Sequence, residues 1–154
     1  MKSMNRRSAR VFAMELLYSM EITKQPVGNC VEGVLMSMKE ALKKELPAEM
    51  KCYGMSLVDL IQEHRAELDT IIAGKAQGWD LDRMAIIDKI ILSIALTELQ
   101  YQPDVPVKVV FEEAVQIANK FSTEDSSRFI NGILNQYARD KGMLAKNERA
   151  EENQ

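Results

Sequence analysis

The sequence predicts an all-α protein of about six to seven helices, forming two small helical bundles packed together. Three observations lead there. Apolar residues recur at helical spacing nearly everywhere along the chain. Stretches rich in proline and glycine cut that periodicity into helix-sized pieces. The 154 residues are 46% hydrophobic, enough for a packed core without metal or disulfide staples.

Each helix has its own stripe. Ala9, Ala13, Leu16, Leu17 and Met20 mark the first, closed by the breaker stretch KQPVGN. Val31, Val34, Leu35, Met38 and Leu42 mark the second, which ends near Pro47. Leu57, Ile61, His64, Leu68 and Ile71 recur at alternating steps of three and four, so a third helix is expected to run through His64. The Gly74 and Gly78 region separates two halves. Asp80 or Asp82 is placed to cap the next helix, where Ile86, Ile87, Ile90, Ile91, Ile94, Ala95 and Leu99 leave only a thin polar edge of Lys89, Ser93, Thr97 and Gln100. A helix apolar on most sides belongs at the centre of a fold. QPDVP then offers a cap at Asp104 and a proline in the first turn of a helix striped by Val107, Val110, Phe111, Ala114, Ile117, Ala118 and Phe121. The last helix carries Phe129, Ile130, Ile133, Leu134 and Tyr137 and stops at Gly142. The chain therefore divides into one helical domain over 1–141, with bundles at about 5–73 and 80–141, and a polar tail over 142–154.

Composition narrows the function. No apolar run approaches the roughly 20 residues that span a bilayer, and the start lacks a secretory signal, so a cytoplasmic protein without membrane association is expected. Cys30 and Cys52 stand far apart, outside any CxxC spacing, as expected of buried or idle thiols in a reducing compartment. The formal net charge is −3, so contact with a polyanion has to be local. His64 is the single histidine and lies on an apolar seam with no nucleophile near it; packing or an interhelical hydrogen bond is expected of it. Asn131-Gly132 keeps the helical period around it, and a tight helix crossing would offset the roughly 1 kcal/mol cost of a glycine there. The methionines read as gap fillers, and Glu112 and Glu113 as a solvated face. No phosphate-cradling loop, metal-ligand spacing or nucleophile constellation appears, so neither catalysis nor a metal or other cofactor is expected.

The local exception in charge is MKSMNRRSAR, with Lys2, Arg6, Arg7 and Arg10 and no acid. At about 100° per residue, Arg7 and Tyr18 project within roughly 20° of each other, with Arg10 and Met14 expected on the same side. Unpaired N–H groups at a helix start attract phosphate. Arginine forks onto phosphate and stacks on bases, and tyrosine offers a ring to an unstacked base. Such a face suits single-stranded nucleic acid, and Arg128-Phe129 repeats the combination in the last helix.

The segments RRSARVFAMELLYSME, IDKIILSIALTEL and DVPVKVVFEEAVQIANKFSTEDSSRFINGILN resemble the NusB family of transcription antitermination factors. They span most of positions 5 to 137 in the family's order, with the second and third helices poorly matched. The resemblance implies an all-helical, non-catalytic protein that binds boxA RNA of ribosomal RNA transcripts together with the ribosomal protein NusE, and serves other antitermination factors and RNA polymerase indirectly. It implies RNA contacts at Lys2, Arg6, Arg7, Arg10, Tyr18, Asp125, Arg128 and Phe129, and contact with the protein partner at Asp88. Ser8, Ser93, Thr97 and Ser122 depart from the family's common residues at their positions. Two other readings stand beside this one: a helical protein-interaction or dimerisation module, and the RNA-binding fragment of an RNA methyltransferase.

Overall fold

In the computed structural model, residues 6–76 and 84–144 are described, and they form seven helices. These are α1 (Arg7–Thr23), α2 (Val27–Leu42), α3 (Ala48–Glu63), α4 (Arg65–Lys75), α5 (Ile86–Tyr101), α6 (Val107–Phe121) and α7 (Glu124–Asp140). They divide into two compact units, Met1–Glu63 and His64–Gln154.

In the first unit α1 packs against both α2 and α3. Phe12, Ala13 and Leu16 meet the apolar sides of α2 (Cys30, Val34, Met38) and α3 (Met50, Leu57, Val58, Ile61), all buried. Packing on two sides gives α1 a buried arc of about 200°, from Phe12 round to Met14. The closest helix crossing lies at Gly54. A Cβ there would stand 2.7 Å from the Phe12 Cδ1 and 2.8 Å from the Ala9 carbonyl oxygen, so only glycine lets the two backbones touch.

The second unit is built around α5, whose residues Ile90 to Leu99 are all buried. Helices α4, α6 and α7 each pack on it. Two residues of the expected polar edge of α5 are inside: Ser93, which donates to the Lys89 carbonyl at 2.8 Å, and Thr97, with Glu98 buried beside it. Glu67 ties the start of α4 to the end of α5, accepting from Gln100 at 3.2 Å and the Tyr101 hydroxyl at 3.3 Å. An ion pair from Lys75 to Asp140 joins α4 to α7.

Several expectations change. The third helix is two, because the chain turns at His64, and α4 packs on α5 and α7, so the division falls at Glu63 rather than near residue 73. His64 occupies the cap position of α4, half-buried, with its ring stacked on Tyr101 at 4.5 Å. Asp80 and Asp82 lie outside the described residues, and Ala85 precedes α5. Pro106, rather than Asp104, stands at the cap of α6. Gly132 has nothing within 4 Å of an added Cβ, so no tight crossing explains it; the crossing belongs to Gly54. Gly142 adopts φ 71° just past α7, as a helix stop requires. The 142–154 tail lies outside the described residues from 145 onward.

Two glycines should respond oppositely to one added methyl group. Gly54→Ala overpacks the α1–α3 contact and should lower stability by about 1–3 kcal/mol. Gly132→Ala meets open space inside α7 and should raise stability by up to about 1 kcal/mol. Urea denaturation of both variants checks the pair; equal effects would contradict the packing described.

Candidate nucleic-acid interface

The start of α1 presents the cations. Arg6 occupies the cap position, where no side chain caps the helix and no acidic residue stands in the first turn, so the partial positive charge of the helix end adds to that of the arginines. Arg7 is exposed. Tyr18 is 43% exposed, on the same face as Arg7 and about 16 Å further along the axis. That spacing matches a ligand that runs along the helix. The Arg6 guanidinium lies over the Tyr53 ring of α3, with its carbon 4.4 Å from the ring centroid.

Arg10 and Met14 are corrected. Arg10 is 3% exposed and Met14 1%, so the buried arc of α1 extends past the Ala9–Ala13 stripe to both positions. A narrow stripe read from sequence leaves Arg10 outside; a helix packed on two sides takes it in. Arg10 is therefore buried where the sequence reading set it on the open face. Lys2 lies outside the described residues.

In the second unit, α7 opens with Thr123 as its cap, accepting from the Ser126 amide at 3.0 Å. Asp125 and Arg128 are exposed on the first turns, and Arg128 pairs with Glu124 at 3.1 Å. Glu124 and Arg128 are both largely exposed, so this pair holds the arginine only weakly. Phe129 is 7% exposed and belongs to the α7 core stripe with Ile130 and Ile133. The ring is buried in this position, where the resemblance implied an RNA contact.

Asp88 is corrected too. It is 5% exposed, and its two carboxylate oxygens accept from Ser122 and Ser126, each at 2.7 Å. The carboxylate thereby clamps the start of α5 to the turn between α6 and α7. Ser122, one of the departures from the family's common residues, is half of this clamp.

Among the described residues, no group of three or more His, Cys, Asp or Glu could hold a metal ion, and no helix is long and apolar enough to cross a membrane. Sequence reasoning missed Tyr53 and Gly54. The only signal was a glycine beside an aromatic in a periodic apolar run, and pairing it with α1 needed the tertiary contact.

Comparison with known proteins gives one consistent result. The model of the NusB family matches residues 7–139. The chain is 40% identical over 138 residues to the transcription antitermination protein NusB of Elusimicrobium minutum, covering 89% of this chain and 95% of that protein. It is 36% identical over 150 residues to the NusB of Chloroherpeton thalassium, covering 94% and 68%. Among solved structures, T. maritima NusB is similar with a TM-score of 0.76 and 27% identity, over 90% of this chain and 93% of that one. A chain from the crystal structure of antitermination factors NusB and NusE in complex with double-stranded RNA shares the fold, with a TM-score of 0.73, 24% identity, and 88% and 96% covered.

The burial pattern separates residues that sequence placed together. Arg7→Ala should change stability by no more than about 0.5 kcal/mol, whereas Arg10→Ala, which empties a buried position, should cost about 1–3 kcal/mol. Asp88→Ala, leaving the Ser122 and Ser126 hydroxyls without their acceptor, should cost about 1.5–3 kcal/mol. Thermal melts of the three variants decide; an Asp88→Ala protein as stable as the parent would remove the clamp.

Proposed function

Since the chain belongs to the NusB family, a family of non-catalytic transcription antitermination factors, we propose that it binds boxA-type single-stranded RNA of ribosomal RNA transcripts through the open face of α1. The observation that carries this reading is that exposed Arg7 and Tyr18 share one side of a helix whose first turn holds no acid, with Arg6 at its cap. The cations neutralise phosphates and fix the register of the strand. Tyr18 gives a base a ring to stack on. Arg10 holds that side of α1 from within, and Lys2 adds a further cation. Arg128 and Asp125 supply a polar contact surface at the start of α7, with Asp125 positioned to accept from base or ribose donors. Phe129 supports that turn from the core.

NusE is the proposed protein partner, as in the solved complex of that fold with NusE and RNA. Its contact is placed on the exposed side of the start of α5, where Ile86 is 41% exposed. Asp88 acts there by holding the helix end in place. Other antitermination factors and RNA polymerase are reached through this assembly, in the cytoplasm.

Titration of a boxA RNA and a scrambled RNA, with and without NusE, tests the reading; preference for boxA that NusE strengthens is the expected result. Log affinity should fall with log salt, and Arg7→Ala should reduce the slope by about 0.7. Tyr18→Ala should cost about 1–3 kcal/mol of binding and leave the slope unchanged, since no charge is lost. Affinity indifferent to salt and to both substitutions would overturn the proposal.

A further inference from the structure

Arg6 differs from Arg7 in what lies beneath it. Its guanidinium carbon is 4.4 Å from the centroid of the Tyr53 ring, within the range where the ring's negative face attracts a cation. Tyr53 is half-buried on α3, and its position is fixed by its neighbour in the chain. Gly54 lets the α3 backbone approach the Ala9 carbonyl, so the ring is carried to the first turn of α1 by a contact with little room for adjustment. An arginine at a helix end otherwise samples many rotamers, and ordering it on binding opposes affinity.

We propose that Tyr53 is a positioning residue for RNA recognition: it holds the Arg6 guanidinium over its ring and so fixes where that planar cation meets the RNA. This rests on the reading of the α1 face as the RNA site. A planar, delocalised cation can stack on two sides at once, and an ammonium cannot. The ring therefore makes arginine, rather than any cation, the residue this position requires. Tyr53 itself touches no RNA; its contribution passes through Arg6.

The test is a set of fluorescence-anisotropy titrations of a boxA-containing RNA oligonucleotide against the full chain, with a thermal melt for each variant. Tyr53→Phe, which keeps the ring, should bind within about twofold of the parent, while Tyr53→Leu should weaken binding about three- to tenfold without changing the salt slope. In an Arg6→Ala background Tyr53→Leu should have no further effect. Arg6→Lys sits at a helix end and does not depend on how Tyr53→Leu folds; it should weaken binding to a similar degree with the slope retained. A Tyr53→Leu effect equally large in the Arg6→Ala background, or an Arg6→Lys protein that binds like the parent, would overturn the proposal. If Arg7→Ala weakens binding while Tyr53→Leu and Arg6→Lys do not, the α1 reading stands and the role of Tyr53 falls. If all three leave affinity unchanged, both fall.

Discussion

A backbone-to-backbone contact between α1 and α3 at Gly54 is the constraint on which the first unit depends. With no side chain between them, the Ala9 carbonyl and the α3 main chain approach to a distance that a methyl group would occupy. This closeness packs Phe12 against α3; the buried arc of α1 runs on from there to Arg10 and Met14, and Arg7 and Tyr18 lie on the strip that remains. The open face is therefore defined by what the packing removes. An overall negative charge is compatible with it, because the covered arc draws in one arginine while two more stand at a helix start with no acid in its first turn.

The second unit solves a different problem. Its central helix is too apolar to face solvent, so three helices pack on it, and on its polar edge Ser93 turns its hydroxyl back to the Lys89 carbonyl. Asp88 belongs to this solution: a carboxylate in the first turn of α5 complements the helix dipole and accepts from Ser122 in the α6–α7 turn and Ser126 in the first turn of α7. A charge buried in this way is stabilising only while both donors stay in place. Ser122 and Ser126 are thus matched to Asp88, and a substitution at either serine changes the environment of the acid.

Helical class and the central place of α5 were legible in the sequence because each rests on periodicity, which a single helix displays by itself. The break at His64 was not, since the apolar spacing continues smoothly across it and only the packing of α4 on α5 and α7 reveals the turn. Arg7 and Tyr18 were legible as surface because they stand opposite the stripe. Arg10 was misplaced because the width of a buried arc depends on how many neighbours a helix has, and sequence shows only its centre. Asp88, Ser122 and Ser126 are far apart in the chain, as are Arg6 and Tyr53, so their contacts belong to the tertiary structure alone.

The central claim is that RNA runs along the open side of α1. Mapping the backbone amide chemical shifts of the labelled protein during titration with boxA RNA tests it most directly. The account predicts that the largest changes in the first unit fall at Arg6, Arg7, Tyr18 and their immediate neighbours, with Tyr53 following Arg6, while the outer side of α2 at Met36 stays unchanged. Changes centred on α2 with the start of α1 silent would contradict it.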